Sequence, residues 1–419
     1  METNAIRLSH PTKTLRGTVE LTGSKSESNR ALIIQAWSGG VVEVANLSSA
    51  ADTETLKQAL HATTTAATEE ETTVIDIGPA GTAMRFLTAY LPTTNGRYLL
   101  TGSERMKQRP IGILVDALQT LGAHIAFAGQ PGYPPLSISG GFNQITDTVT
   151  VKGDVSSQYL SALLLIAPTL PKGLRLQIAG ELTSRPYLMM TLDMLREAGI
   201  QHEWQGNTIH ITPQQAHPCR MVIEPDWSAA SYWYAMVALS KDAEVFLPNL
   251  KNRSLQGDAA IVAIMAHFGI ESSFVDGGLS IRKKTERQTP EIRLFDFKEC
   301  PDLAQTVIVC AAALQQDLSF TGLHTLRIKE TDRIAALQTE LGKFGVQLIE
   351  DGEVYHLRTA EFRKPEHLVF DTYEDHRMAM AFAPLALVFD SIRINEPHVV
   401  EKSYPDFWKH LKQHGFVIT

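Results

Sequence analysis

An apolar stretch long enough for a buried helix, opened by a short polar cap, recurs six times in this 419-residue chain. The openings are GSKSESNRALIIQAW from Gly23, GPAGTAMRFLTAYL from Gly78, GDVSSQYLSALLLIAP from Gly153, PDWSAASYWYAMVAL from Pro225, CPDLAQTVIVCAAAL from Cys300 and YEDHRMAMAFAPLAL from Tyr373. Taken through Ser24, Gly81, Ser156, Trp227, Pro301 and His376, the steps are 57, 75, 71, 74 and 75 residues. A helix that is apolar on every side has to be buried on every side. A second series interleaves with the first: a short apolar strand, a polar turn and an amphipathic helix ending near Gly122, Gly199, Gly269, Gly345 or Gly415. Glycine is the usual residue just past a helix end, and these lie 77, 70, 76 and 70 residues apart. VEVANLSSAADTETLKQAL from Val42 is a weaker sixth member. Each repeat therefore reads strand, buried helix, strand, outer helix, strand. A period of about 70 residues is too long for a solenoid, so the pattern predicts α/β (α+β) subdomains gathered around shared buried helices.

Composition narrows the class. With 44% hydrophobic residues the chain can fill more than one core, and its length favours two or three domains. No apolar run reaches the ~18 residues of a membrane span, and METNAIRLSHPTKTLRG lacks an apolar signal core. Cys219, Cys300 and Cys310 form no C-x-x-C pair and cannot all pair internally, so reduced thiols in a cytoplasm are expected. A net charge of −8 argues against a nucleic-acid surface. Any cationic site must be local.

Helix starts supply free amide donors and a partial positive charge, and here cations collect at them. Lys25, Arg30, Arg85 and Arg377 belong to starts of the first series, and Arg109, Arg185, Lys329, Arg333 and Lys402 to starts of the second. Each alone has an ordinary reading. Ser-Lys-Ser is a common cap, Arg109 before Pro110 can simply open a helix, Lys329 to Arg333 can be a solvated face, and a lone His376 is more often structural than catalytic. Their matching places in the repeat favour convergence on a ligand with two or more acidic groups, such as phosphate and carboxylate.

The stretches GSKSESNRA, GPAGTAMR, LTGSERMKQRPIG, GDVSSQYLSALL, SRPY, PDLAQT, RIKETDR, YEDHRMAM and KSYPDFW resemble, in order, the motifs of the 5-enolpyruvylshikimate-3-phosphate synthase family, from about Leu21 to Trp408. The resemblance implies two domains of three βαβαββ units each, with buried parallel helices whose N-termini face an interdomain cleft holding the active site. It implies one discontinuous domain of residues 1–23 and 227–419, a second of residues 24–226, and crossings near Ser24 and Asp226. The implied reaction transfers the enolpyruvyl group of phosphoenolpyruvate to the 5-hydroxyl of shikimate 3-phosphate on the route to chorismate, with neither metal nor organic cofactor. Methylene protonation, hydroxyl addition and loss of phosphate from a tetrahedral intermediate call for an acid, a base and fixed cations.

By motif, Lys25 resembles the cation shared by both substrates. Ser26, Arg30, Thr82, Ser156, Ser157, Gln158, Ser184, Tyr187, Asp302 and Lys329 resemble the shikimate 3-phosphate contacts. Gly81, Arg109, Gln158, Arg333, Arg377 and Lys402 resemble those to phosphoenolpyruvate, the two later arginines forming a carboxylate clamp. Asp302 and Glu330 are the expected proton handlers, with Lys402 beside them. Pro79, Phe86 and Thr325 stand where the family usually has Asn, Pro and Asn, which puts affinities in doubt but not the chemistry. Gly81 is retained, so inhibition by glyphosate is expected. The cousin that acts on UDP-N-acetylglucosamine usually carries a loop cysteine where this chain has Glu104. A non-catalytic phospho-ligand or RNA-end binder could dispense with Asp302 or Glu330, and both are present. Small-molecule substrates, no nucleic acid, no membrane and a monomeric chain complete the expectation.

Overall fold

The computed structural model describes residues 5–65, 71–154, 156–284 and 292–419; Val155 of the GDVSSQYL motif lies outside them. The chain forms two compact units, one of Gly23–Ile223 and one of Met1–Thr22 with Glu224–Thr419. Among the described residues no helix is long and apolar enough to cross a membrane.

The sequence period becomes a repeated sheet. In the Gly23–Ile223 unit, strands Thr72–Asp76 and Arg97–Thr101 run parallel, with Thr72 opposite Arg97 and Asp76 opposite Thr101. A parallel pair needs a crossover connection, and the buried helix Gly81–Tyr90 supplies it. The amphipathic helix Gly112–Leu121 follows. The antiparallel strands His124–Phe127 and Leu136–Ser139 then complete the sheet in the order first, second, fourth, third. Strands Thr148–Lys152, Leu174–Ala179, Glu203–Gln205 and Thr208–Ile211 repeat that order.

The other unit builds three such sheets, starting from strands Thr14–Thr18, Leu294–Asp296 and Val369–Phe370. In the last of them the fourth place is taken by the N-terminal strand Ala5–Ser9, which pairs with Ile392–Asn395 and Val417–Ile418. The repeat that opens at Ser24 departs from βαβαββ. Among the described residues its sheet has two strands, Val42–Ala45 parallel to Cys219–Val222. Its outer helix Ala51–Thr65 precedes Thr72–Asp76, the first strand of the next sheet.

The first-series helices are buried as their composition requires. Every residue of Ala304–Ala313 and of His376–Phe382 is buried. In Gly81–Tyr90, Ser157–Ile166 and Trp227–Leu239 the only residues not fully buried are Thr82, Ser157 with Gln158, and Ser228, all in the first turn. Polar side chains finish these starts. Ser24 Oγ accepts from Glu27 N at 3.4 Å, Ser156 Oγ from Gln158 N at 3.4 Å, Asp226 Oδ1 from Ala229 N at 2.9 Å and Asp375 Oδ1 from Arg377 N at 2.8 Å. At the opposite helix ends, lysines meet the terminal carbonyls: Lys283 Nζ donates to Ala238 O and Ser240 O, and Lys13 Nζ to Val388 O and Phe389 O.

Candidate active site

In the unit containing both termini, the starts of the helices Ala304–Ala313, Arg333–Gly342 and His376–Phe382 bring together the residues singled out in PDLAQT, RIKETDR and YEDHRMAM. Arg333, the first residue of its helix, is 1% exposed. Its fork reaches three carboxylates: Asp375 Oδ2 from Nε at 2.7 Å, Asp302 Oδ1 from Nη1 at 3.2 Å and Glu330 Oε2 from Nη2 at 3.0 Å. Only a planar guanidinium presents donors in these directions at once. Arg377 Nη2 binds Asp302 Oδ2 at 2.8 Å, and its Nη1 donates to Tyr232 Oη at 3.3 Å. Lys402 Nζ lies 3.0 Å from Glu330 Oε1. Lys329 is half-buried immediately before Glu330.

The electrostatics of this cluster follow from burial set against paired charge. Burial alone would raise the Asp302 carboxyl, but Arg377, Lys329 and Arg333 overcome it and hold the group well below the usual carboxylate range. Burial opposes the charge on Arg333, yet Asp375, Glu330 and Asp302 raise its affinity for the proton above the ordinary arginine value. Tyr232 is pushed up to about 12 by burial, so it stays a neutral hydroxyl accepting from Arg377.

The Gly23–Ile223 unit carries the second cluster. Lys25 opens the helix Lys25–Trp37 with Nζ 3.2 Å from Asp52 Oδ2, and Ser26 follows in the same exposed-edged turn. Arg30 is 2% exposed and tied into the unit: Nε donates to Thr191 Oγ1 at 2.8 Å, Nη1 to Ser26 O at 2.8 Å, and Nη2 to Ser161 Oγ at 3.1 Å and Tyr187 O at 3.3 Å. Its guanidinium also lies over the rings of Phe86 at 5.5 Å and Tyr187 at 5.8 Å. Burial lowers Arg30 to about 10, still protonated at neutral pH. Gln158 Nε2 donates to Thr82 Oγ1 at 3.2 Å, joining two helix starts. Ser184 precedes the helix Arg185–Glu197 in the left-handed region, at φ 54°, and its side chain makes no cap hydrogen bond; the conformation costs a non-glycine residue about 1 kcal/mol.

Arg109 lies against Gly81. A Cβ on Gly81 would stand 2.6 Å from Arg109 Nη1, so any larger residue there would push this guanidinium aside. Arg109 Nε is buried and has no hydrogen-bond partner among the described residues. Arg85 holds the loop in place, donating to Gly81 O at 3.1 Å and Pro110 O at 3.4 Å, while Tyr159 Oη donates to Pro110 O. Pro79 sits in the turn before Gly81. Phe86 leaves the helix behind it regular and meets Arg30. Thr325 Oγ1 is buried without a partner among the described residues.

Several contributors escaped the sequence reading. Asp52 and Asp375, the partners of Lys25 and Arg333, are carboxylates in helix first turns or caps, where Asp is common for capping alone. Ser161 and Thr191 are polar residues inside otherwise apolar helix faces, a signal that could have pointed to Arg30.

The model of the EPSP synthase (3-phosphoshikimate 1-carboxyvinyltransferase) family matches residues 9–411. A 3-phosphoshikimate 1-carboxyvinyltransferase of Bacteroides fragilis is 45% identical, with 98% of each chain covered. One from Vibrio cholerae is 35% identical over 96% of this chain and 98% of its own. Among solved structures, EPSP synthase from Acinetobacter baumannii aligns over the whole of both chains with a TM-score of 0.77 at 21% identity. The enolpyruvyl transferase NikO from Streptomyces tendae aligns over 100% of this chain and 99% of its own, with a TM-score of 0.73 at 15% identity. The structural likenesses bear on the fold, and the family match and the sequence relatives on the lineage: this chain belongs to the EPSP synthase family.

Proposed function

We propose that this chain transfers the enolpyruvyl group of phosphoenolpyruvate to the 5-hydroxyl of shikimate 3-phosphate, releasing phosphate. The observation that carries the reading is the sharing of one buried arginine, Arg333, by Asp302 and Glu330, the base and acid the family motifs indicate. Arg377 and Lys402 bracket the same pair.

Glu330 protonates the methylene carbon, and the adjoining carbon becomes cationic. The 5-hydroxyl oxygen adds to it as Asp302 takes the hydroxyl proton. The tetrahedral intermediate then loses phosphate through carbon–oxygen cleavage, the departing phosphate taking the proton held by Asp302, and Glu330 recovers a proton from the methyl group to restore the double bond. Arg333 and Arg377 hold the phosphoenolpyruvate carboxylate, Arg109 with the Gly81 amide holds its phosphate, and Lys25, Gln158 and Lys402 complete its contacts. Ser156, Ser157, Ser184 and Lys329 receive the 3-phosphate, with Ser26, Arg30, Thr82, Gln158 and Tyr187 around the ring. Residues of both units are therefore assigned to the substrates. The reaction so written uses no metal or organic cofactor. A monomeric, cytoplasmic enzyme acting on small molecules alone goes with this reading, and the three unpaired thiols Cys219, Cys300 and Cys310 fit a reducing compartment.

The test is phosphate release from phosphoenolpyruvate with and without shikimate 3-phosphate. Release that requires both is expected; a folded protein that releases none refutes the reading.

A further inference from the structure

Asp258 has no part in the reaction written above, yet it is built into its charge network. It lies in the short turn Gly257–Ala260 and is 4% exposed. Oδ2 accepts the Ser228 hydroxyl. Oδ1 is buried with no hydrogen-bond partner among the described residues. The neighbouring Gln256 accepts from Trp227 N at 2.9 Å and donates to Pro225 O at 2.9 Å, so the turn is clamped onto the start of the Trp227–Leu239 helix.

Ser228 Oγ also receives Arg377 Nη2 at 3.4 Å, and that same nitrogen donates to Asp302 Oδ2 at 2.8 Å. One nitrogen of Arg377 is thus shared between Asp302 directly and Asp258 through a single hydroxyl. We propose that Asp258 is a positioning residue for enolpyruvyl transfer: neutral, it leaves Arg377 to Asp302 and the substrate carboxylate, and ionised it draws Arg377 away through Ser228. The inference rests on the enolpyruvyl-transfer reading above.

The surroundings hold the Asp258 proton more strongly than an ordinary aspartate holds its own. A buried carboxylate with one hydrogen bond is costly to ionise. Burial first, then the charge of Asp302, raises Asp258 to about 7; Arg377 and Ser228 oppose this, and Asp226 adds to it. The remaining titratable neighbour, the Cys300 thiol, is itself raised by burial and by the Asp258 charge, so it is neutral in the same range. Losing the Asp258 proton would place a second negative charge beside Asp302 and recruit the arginine between them.

The experiment compares kcat/KM for phosphoenolpyruvate between pH 6 and pH 8.5 in wild type and in Asp258→Asn, which keeps a neutral acceptor for Ser228 at every pH. Substrate phosphates titrate identically for both proteins, so the comparison isolates the side chain. Wild type should lose roughly tenfold or more across this interval, and Asp258→Asn less than about threefold. A purely structural role would shift activity by the same factor at every pH. Should Asp258→Asn fail to fold by circular dichroism, Ser228→Ala is the second arm. It removes the hydroxyl through which Asp258 reaches Arg377, so the alkaline loss should flatten as in Asp258→Asn. Profiles of either folded variant that overlay wild type overturn the proposal, as does a wild type with no alkaline loss. A wild type that releases no phosphate at any pH instead refutes the underlying reading.

Discussion

Replacing Gly81 by alanine tests the phosphate half of the site with a perturbation of known size. The new Cβ would stand 2.6 Å from Arg109 Nη1 and 3.2 Å from Cζ and Nη2, where ordinary contact begins at 3.4 Å. The guanidinium must therefore withdraw by about 0.8 Å, the difference between those limits. The helix gains propensity and the displaced atoms belong to a flexible side chain, so stability should change by less than about 1 kcal/mol. A cation displaced by nearly 1 Å from a bound phosphate costs on the order of 10- to 100-fold. Steady-state kinetics should show that rise in KM for phosphoenolpyruvate, with KM for shikimate 3-phosphate little changed. Because the damage runs through Arg109, adding Gly81→Ala to Arg109→Ala should cost almost nothing further. An unchanged KM for phosphoenolpyruvate in a folded variant, or full additivity with Arg109→Ala, refutes the argument that Gly81 exists to seat this arginine.

Phe86→Leu removes the ring face above the Arg30 guanidinium and should raise KM for shikimate 3-phosphate by roughly 2- to 30-fold; an unchanged KM would show that the ring does not hold the arginine. Asp302 has a depressed folded pKa, so the stability it contributes is present above its unfolded value of about 3.9 and is lost as pH falls toward the folded value. Urea titrations should therefore find the stability gap between wild type and Asp302→Asn widest near neutrality and closing below about pH 4. Glyphosate should inhibit in competition with phosphoenolpyruvate, and a titration showing no inhibition would place the departure at Pro79 or Phe86.

The buried helices were legible because an all-apolar stretch is a local property, and the polar caps at Ser24, Ser156, Asp226 and Asp375 mark where they begin. The cations were legible because the repeat places them at matching starts, but Arg185 is exposed, its guanidinium over Trp204 at 4.8 Å. The partners of the cations were not legible. Nothing in the spacing between Gly81 and Arg109 announces that the absent Cβ of one makes room for the guanidinium of the other. Likewise Asp375 reads as an ordinary helix cap, and its second role as the strongest partner of Arg333 arises only when two helix starts meet.

The state of Asp302 bears on when the reaction can begin. A carboxylate held far below its ordinary pKa is a poor base, and here the arginines that hold it down, Arg377 and Arg333, are those proposed to receive the phosphoenolpyruvate carboxylate. An arriving carboxylate competes with Asp302 for the same nitrogens. As it takes them, Asp302 loses two of the cations that lowered its proton affinity, keeps Lys329, and keeps its burial, the largest single influence on it and one that raises the pKa. Its basicity then climbs toward the range useful for accepting a hydroxyl proton at neutral pH. Glu330 shares Arg333 and is paired on its other oxygen with Lys402, so it keeps one cation when the arginine turns to substrate. The two proton handlers are thus separated by what binding removes from each. On the proposed reaction, the carboxylate of phosphoenolpyruvate is what frees Asp302 to accept the hydroxyl proton.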